Sequence, residues 1–156
     1  PFYIRLSRPA TPVIHTPNNP FILGKPELMR EGTDVTLIAS GPMVHYSLTA
    51  AQTLSSEGIE ARVINVATFK PLENTVIIEA ARDTKALVTI EEHYIHGGLN
   101  SIIAQLTSSH YPVPVEAVAV QTYAESGKAD ALFKKYGLDT TQIVAAAKKA
   151  IQRKPT

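Results

Sequence analysis

The chain of 156 residues has no cysteine and no tryptophan, and only 6% of it is aromatic. Without cysteine there is no disulfide, no thiolate nucleophile and no cysteine-ligated metal. This suits a cytoplasmic protein, the location expected here. Neither sign of charge is in excess: 15 Lys and Arg against 14 Asp and Glu leave a formal net charge of +1 at pH 7. A dedicated nucleic-acid binder carries a basic stripe. Here the basic residues come only in short groupings such as Lys148-Lys149 and Arg153-Lys154. Those four read as a solvated helix terminus, where cations suit the helix dipole, and no nucleic-acid partner is expected. No apolar run approaches the roughly 18 residues that cross a membrane, so no membrane partner is expected either. The first residues lack the basic-then-apolar order of a signal peptide.

What is present is a core-forming pattern. Hydrophobic residues make up 44% and charged residues 19%, which fits one globular domain. The most informative stretch is Ala86-Leu87-Val88-Thr89-Ile90-Glu91-Glu92-His93, running through Tyr94-Ile95-His96-Gly97-Gly98 into Leu99. Its branched apolar run reads as a strand over 86–90 covered on both faces. Leu99, Ile102, Ile103 and Leu106 then recur at helical spacing, and the glycines mark an elbow between strand and helix.

The same alternation runs along the rest of the chain. A strand is predicted over 34–39, then a helix carrying Val44, Leu48, Ala51 and Leu54, stopped by Gly58. A strand over 59–66, a loop over 68–72 and a helix with Val76, Ile77, Ala80 and Ala81 lead to the elbow strand. Beyond the elbow helix come a turn at Tyr111-Pro112-Val113-Pro114, a strand over 115–120, a polar loop over 121–128 and a short helix closed by Gly137. Asp139 caps a last helix with Ile143, Ala147 and Ile151 on one face. Apolar strands joined by helices predict a doubly wound α/β fold in three layers: a mostly parallel sheet with helices on both faces.

Upstream, residues 1–8 are aromatic and branched and read as a strand. A chain that starts at a proline in mid-strand predicts a piece of a longer polypeptide. Pro9, Pro12, Pro17, Pro20 and Pro26 make 9–27 an extended linker, anchored by Phe21, Ile22 and Leu23. Met29-Arg30-Glu31-Gly32 is turn-like, and the domain proper spans 28–156.

Several features have the residue types of a site. Ser40-Gly41-Pro42 precedes a helix, and helix N-termini favour anions, yet no G-x-G-x-x-G and no P-loop lysine accompany it. A tight turn is the simpler reading. His93 and His96, beside Glu91 and Glu92, are the types that bind zinc or manganese. No third ligand is near in sequence, with only His45 and His110 as distant candidates. An elbow that holds the strand end by hydrogen bonds, or meets a partner subunit, accounts for them better, and no metal is assigned. Gly97-Gly98 supplies tight geometry and close helix–strand packing. Ser126, in Glu125-Ser126-Gly127-Lys128, is a cap candidate with no nearby histidine to make it a nucleophile. Arg5 and Arg8 flank Ser7, and two arginines near a strand end either clamp a phosphate or carboxylate or tie domains together. Spacing alone delivers no self-contained active site.

An ordered set of motifs resembles the C-terminal domain of transketolase-like, thiamine-diphosphate-dependent enzymes. It comprises Tyr3-Ile4-Arg5-Leu6-Ser7-Arg8-Pro9, Gly24-Lys25, the stretch from Arg30 to Gly41, the stretch from Gly58 to Val66, and Lys70-Pro71-Leu72. It continues with Val88-Thr89-Ile90-Glu91-Glu92-His93, Gly97-Gly98-Leu99, Glu125-Ser126-Gly127-Lys128 and Lys135-Tyr136-Gly137-Leu138. The likeness covers nearly the whole chain and is nearest to the separately encoded C-terminal section of split transketolases. It implies a five-stranded sheet with one antiparallel strand. It also implies a dimeric enzyme of pentose phosphate metabolism that moves a ketol unit between sugar phosphates. Residues 1–8 then match the last strand of a pyrimidine-binding domain. By the same likeness Arg8, with Ser7 beside it, matches the family arginine that contacts the substrate phosphate, only in the full assembly. Thiamine diphosphate and Mg would lie elsewhere, with none bound by this chain alone. The expected partners are a diphosphate-binding subunit or domain and further copies of the chain. Gln121-Thr122-Tyr123-Ala124 departs from the family, whose members carry an acidic residue and a phenylalanine there.

The resemblance implies no catalytic residue in this chain. Its role would be packing and assembly, with Glu91, Glu92, His93, Gly97 and Gly98 as an interface or elbow. Three alternatives stand beside this: the matching domain of 1-deoxyxylulose-5-phosphate synthase, that of a 2-oxo-acid dehydrogenase β subunit, or a regulatory module binding an anion or nucleotide at the elbow. The tail motifs favour transketolase over the dehydrogenase.

Overall fold

The computed structural model describes residues 1–8 and 10–155. Pro9, one of the linker prolines, and Thr156, the last residue of the predicted domain, lie outside them. Five strands form one sheet in the order β1-β3-β2-β4-β5. β1 (Glu27–Arg30) runs antiparallel to β3 (Ala61–Asn65). β2 (Val35–Ala39), β4 (Leu87–Tyr94) and β5 (Val115–Val120) complete a parallel set with β3. The helices are α1 (Met43–Ser56), α2 (Thr75–Thr84), α3 (Leu99–His110), α4 (Ala129–Lys135) and α5 (Thr140–Gln152). This is the predicted three-layer α/β architecture.

Strand alternation divides the core into two. Val35, Leu37, Val63, Val88 and Val118 point to one face, where Leu54 of α1 and Ile143 and Ala147 of α5 cover them. Ile38, Ile64 and Leu87 point to the other, against Ile77 and Ala81 of α2 and Leu99 and Ile103 of α3. Every residue of β2 is buried, as a central strand covered on both faces must be. Asp139 caps α5 as predicted, accepting the Gln142 N–H at 2.9 Å.

Four expectations need correction. The turn-like Met29-Arg30 belongs to β1, an edge strand whose half-exposed residues show no strong pattern. Residues 1–8 form no strand: Phe2, Tyr3, Ile4 and Leu6 are more than 70% exposed. A β-prone sequence alone does not hold an extended segment without ladder partners, and these residues have none among those described. β4 runs on to Tyr94, with its register against β5 broken between Ile90 and Tyr94. Finally, Ser126 is not the cap of α4; that position falls to Lys128, with no side-chain hydrogen bond.

The C-terminal basic residues are not simply solvated. Lys149 Nζ lies 2.8 Å from Glu116 of β5, Arg153 binds the same carboxylate, and Lys148 pairs with Glu57. Burial alone would push the Glu116 carboxyl up. The hydrogen bonds from Lys149 and Arg153, with their charges, outweigh it and hold the carboxyl below its ordinary 4.5. A carboxyl depressed in the folded state stabilises above its unfolded value, and that contribution disappears as pH falls through the folded one. The stability of the parent chain over Glu116→Gln, read from urea midpoints, is therefore expected at neutral pH. It should shrink progressively below about pH 4.5.

Candidate functional site

The elbow is built on Glu91. Its side chain is 1% exposed, at the point where β4 leaves the ladder. Oε2 accepts the Leu99 N–H at 2.7 Å and Oε1 accepts the Asn100 N–H at 2.9 Å. These are two of the backbone donors that the first turn of α3 leaves without helical partners. The carboxylate also meets the positive end of the helix dipole, so it has hydrogen bonds and a compensating field despite its burial. Gly98 is what lets it sit there. A Cβ on Gly98 would lie 2.1 Å from Glu91 Oε2 and 2.9 Å from His93 Nδ1.

The surrounding residues complete the turn. Gly97 has φ +82°, a conformation that favours glycine, and its N–H donates to Ser101 Oγ at 2.8 Å. The Thr89 hydroxyl donates to Asn100 Oδ1 at 3.1 Å, tying β4 to α3. His93 is exposed; its Nδ1 lies 2.9 Å from the Tyr94 carbonyl and 4.0 Å from Glu91 Oε2. His96 stacks edge-on against Tyr94. Glu92 presents its backbone carbonyl to Arg5, whose Nη2 donates at 2.8 Å.

The structure therefore brings Glu91, Gly97 and Gly98 together, with His93 at their edge, and leaves Glu92 half-buried beside them. It does not bring Ser7 or Arg8 to them: both are exposed in the N-terminal segment. Of the two flanking arginines only Arg5 reaches the elbow, through a carbonyl rather than an ion pair. Asn100 and Ser101 were missed in the sequence reading. The available signal was a glutamate eight residues before a helix that opens on Gly-Gly.

Chemically the arrangement is self-satisfied. Two of the donors that would recognise an incoming anion at α3, the Leu99 and Asn100 N–H groups, are taken by Glu91. At the Ser40-Gly41-Pro42 turn, the Met43 and Val44 N–H groups already donate to Ser40 and Gly41 carbonyls at 3.3 and 3.2 Å. Among the described residues no three His, Asp or Glu side chains converge as a metal site requires.

The family model for the C-terminal domain of transketolase matches residues 24–143. A 6-deoxy-6-sulfo-D-fructose transketolase subunit of Clostridium sp. (strain MSTE9) is 42% identical over 99% of this chain and 48% of its own length. One of the apulose-4-phosphate transketolase subunits of Phocaeicola vulgatus is 34% identical over 98% of this chain and 49% of its own. A solved split-gene transketolase, described as an inactive β4 tetramer, superposes with a TM-score of 0.92 at 40% identity. That match covers 95% of this chain and 49% of that one. The chain thus spans about half the length of these relatives.

Proposed function

The chain belongs to the transketolase C-terminal domain family, and from that premise we propose that it is the non-catalytic C-terminal part of a split transketolase subunit, serving packing and assembly. One observation carries this reading: the elbow, the most site-like place in the fold, spends its donors and its buried carboxylate on each other. The same observation weighs against the regulatory anion module. The relatives named as subunits, each about twice as long, support a two-polypeptide enzyme.

In this reading residues 1–8 end a pyrimidine-binding domain, 9–27 are the linker and 28–156 are the C-terminal domain. Arg8, with Ser7, meets the substrate phosphate once the rest of that domain surrounds it. The full enzyme works in the cytoplasm as an oligomer with a diphosphate-binding partner. Thiamine diphosphate supplies the electron sink for ketol transfer. The described residues do not fit that cofactor, since no acidic cluster is placed for its magnesium and the buried Glu91 carboxylate stands against the α3 N-terminus, where a diphosphate would meet its negative charge.

Calorimetric titration of the chain with thiamine diphosphate and magnesium tests the reading and should give no heat of binding. Clear one-to-one binding would overturn it. With the complete subunit and its partner, ketol transfer from xylulose 5-phosphate to ribose 5-phosphate is expected. Turnover of pyruvate instead would favour the synthase or the dehydrogenase.

A further inference from the structure

Residues 1–8 stand clear of the domain, yet one contact pins them. Among the described residues they make a single hydrogen bond, from Arg5 Nη2 to the Glu92 carbonyl at 2.8 Å, across 87 positions of sequence. The acceptor is open for a reason. β4 pairs with β2 only as far as Ile90, and with β5 at Ile90 and next at Tyr94. Glu92 therefore faces no residue in either neighbouring strand, and such a break in register re-aims the backbone away from the ladder. The seat is also firm. Glu91, one residue before, is buried and holds the Leu99 and Asn100 amides of α3.

The segment meets the domain again further on. Ile14 is partly buried against the cluster under α1 and α5. Residues 11–15 lie along a cavity of about 360 Å³ that Gly41, Pro42 and Asn65 also line. Gly41 follows β2, and Asn65 ends β3. One anchor thus stands at the carboxyl end of β4 and the other at the carboxyl ends of β2 and β3. That edge of an open α/β sheet is where ligands meet the fold. Arg8 lies between the anchors in the chain. Three residues separate it from Arg5, a span of at most about 11 Å.

We propose that Arg5 is a positioning residue: seated on the Glu92 carbonyl, it fixes where Arg8 presents its guanidinium to the substrate phosphate. The inference rests on the reading of Arg8 as the phosphate contact and supplies what holds Arg8 in place. Its own neighbours do not, since Phe2, Tyr3, Ile4 and Leu6 are exposed. A donor fixed beforehand binds more tightly than a mobile one, because its ordering is not charged to the ligand. The phosphate is remote from the reacting carbons, so this gain is the same in ground state and transition state. Its loss raises KM and leaves kcat alone.

The contact is tested on the 156-residue chain and its consequence on the complete subunit with its partner. Arg5 is exposed, so its replacement leaves the core untouched. In the carbon-13-labelled chain, Arg5→Met removes the donors and should shift the Glu92 carbonyl resonance, whereas Arg5→Lys keeps a donor and should shift it less. In the assembled enzyme, with hydroxypyruvate as a saturating ketol donor, Arg5→Met should raise KM for ribose 5-phosphate about tenfold at constant kcat. KM for ribose, which has no phosphate, should not move, and Arg5→Lys should recover most of the loss. Equal rises for the two sugars overturn the proposal, as does a Glu92 carbonyl indifferent to Arg5→Met. Arg8→Met, measured alongside, separates two failures. If it raises KM for ribose 5-phosphate and Arg5→Met does not, the phosphate reading stands and the positioning role falls. If neither raises it, both fall.

Discussion

A Glu91→Ala chain is expected to lose about 3 kcal/mol of stability, because two backbone donors lose their acceptor together. The Leu99 and Asn100 N–H groups at the start of α3 both point at this carboxylate, Leu99 is fully buried, and no other acceptor serves either group. A buried donor left unsatisfied costs roughly 1–3 kcal/mol, and the helix dipole loses its counter-charge as well. Glu91→Gln keeps the shape and one good acceptor, and about half the loss is expected. Urea unfolding with an unchanged slope would measure both, and faster amide exchange at Leu99 and Asn100 would locate the damage. A Glu91→Ala chain within about 0.5 kcal/mol of its parent would show that water caps the helix equally well.

Gly32→Ala is expected to be worse still. Its Cβ would lie 2.2 Å from the Ala61 carbonyl carbon and 2.3 Å from the Arg62 nitrogen. Both atoms are backbone of β3, held between β1 on one side and β2 on the other, so neither can retreat without breaking a ladder. Overpacking of this kind costs about 3 kcal/mol or more, a fall of roughly 10 °C in Tm for a chain of this size, or failure to fold. The comparison is Gly58→Ala, where nothing lies within 4 Å of the added carbon and only φ +80° opposes it; about 1 kcal/mol is expected. Equal effects at the two glycines, by calorimetric unfolding, would contradict the contact argument.

The parallel strands were legible because they are covered on both faces, and an unbroken branched run such as Val35-Thr36-Leu37-Ile38-Ala39 has few other uses. The helices were legible from the 3.6-residue recurrence, as at Ile143 and Ala147. β1 was not, since Glu27-Leu28-Met29-Arg30 is a half-exposed edge whose conformation comes from pairing with β3 more than 30 residues away. The family resemblance foretold one antiparallel strand without locating it. At the elbow the sequence showed the residues but not their orientation. Glutamate is rarely buried, so nothing local distinguished Glu91, fully inside, from Glu92, partly exposed beside it. Which one turns inward is settled by the α3 amides it meets and by the missing Cβ at Gly98. Arg5, Ser7 and Arg8 lay at the other limit: Arg5 meets a backbone carbonyl, that of Glu92, which no spacing announces, and Ser7 and Arg8 stay exposed.

The buried carboxylate of Glu91 is in effect a ligand delivered by the chain itself. Eight residues separate it from the amide it binds, and a partner tethered that closely has an effective concentration of at least millimolar order. A phosphate from solution would have to outcompete it at that concentration and also find somewhere to put a displaced, desolvated carboxylate. The first turn of α3 thus keeps the geometry of an anion receptor while two of its donors are occupied from the moment it folds.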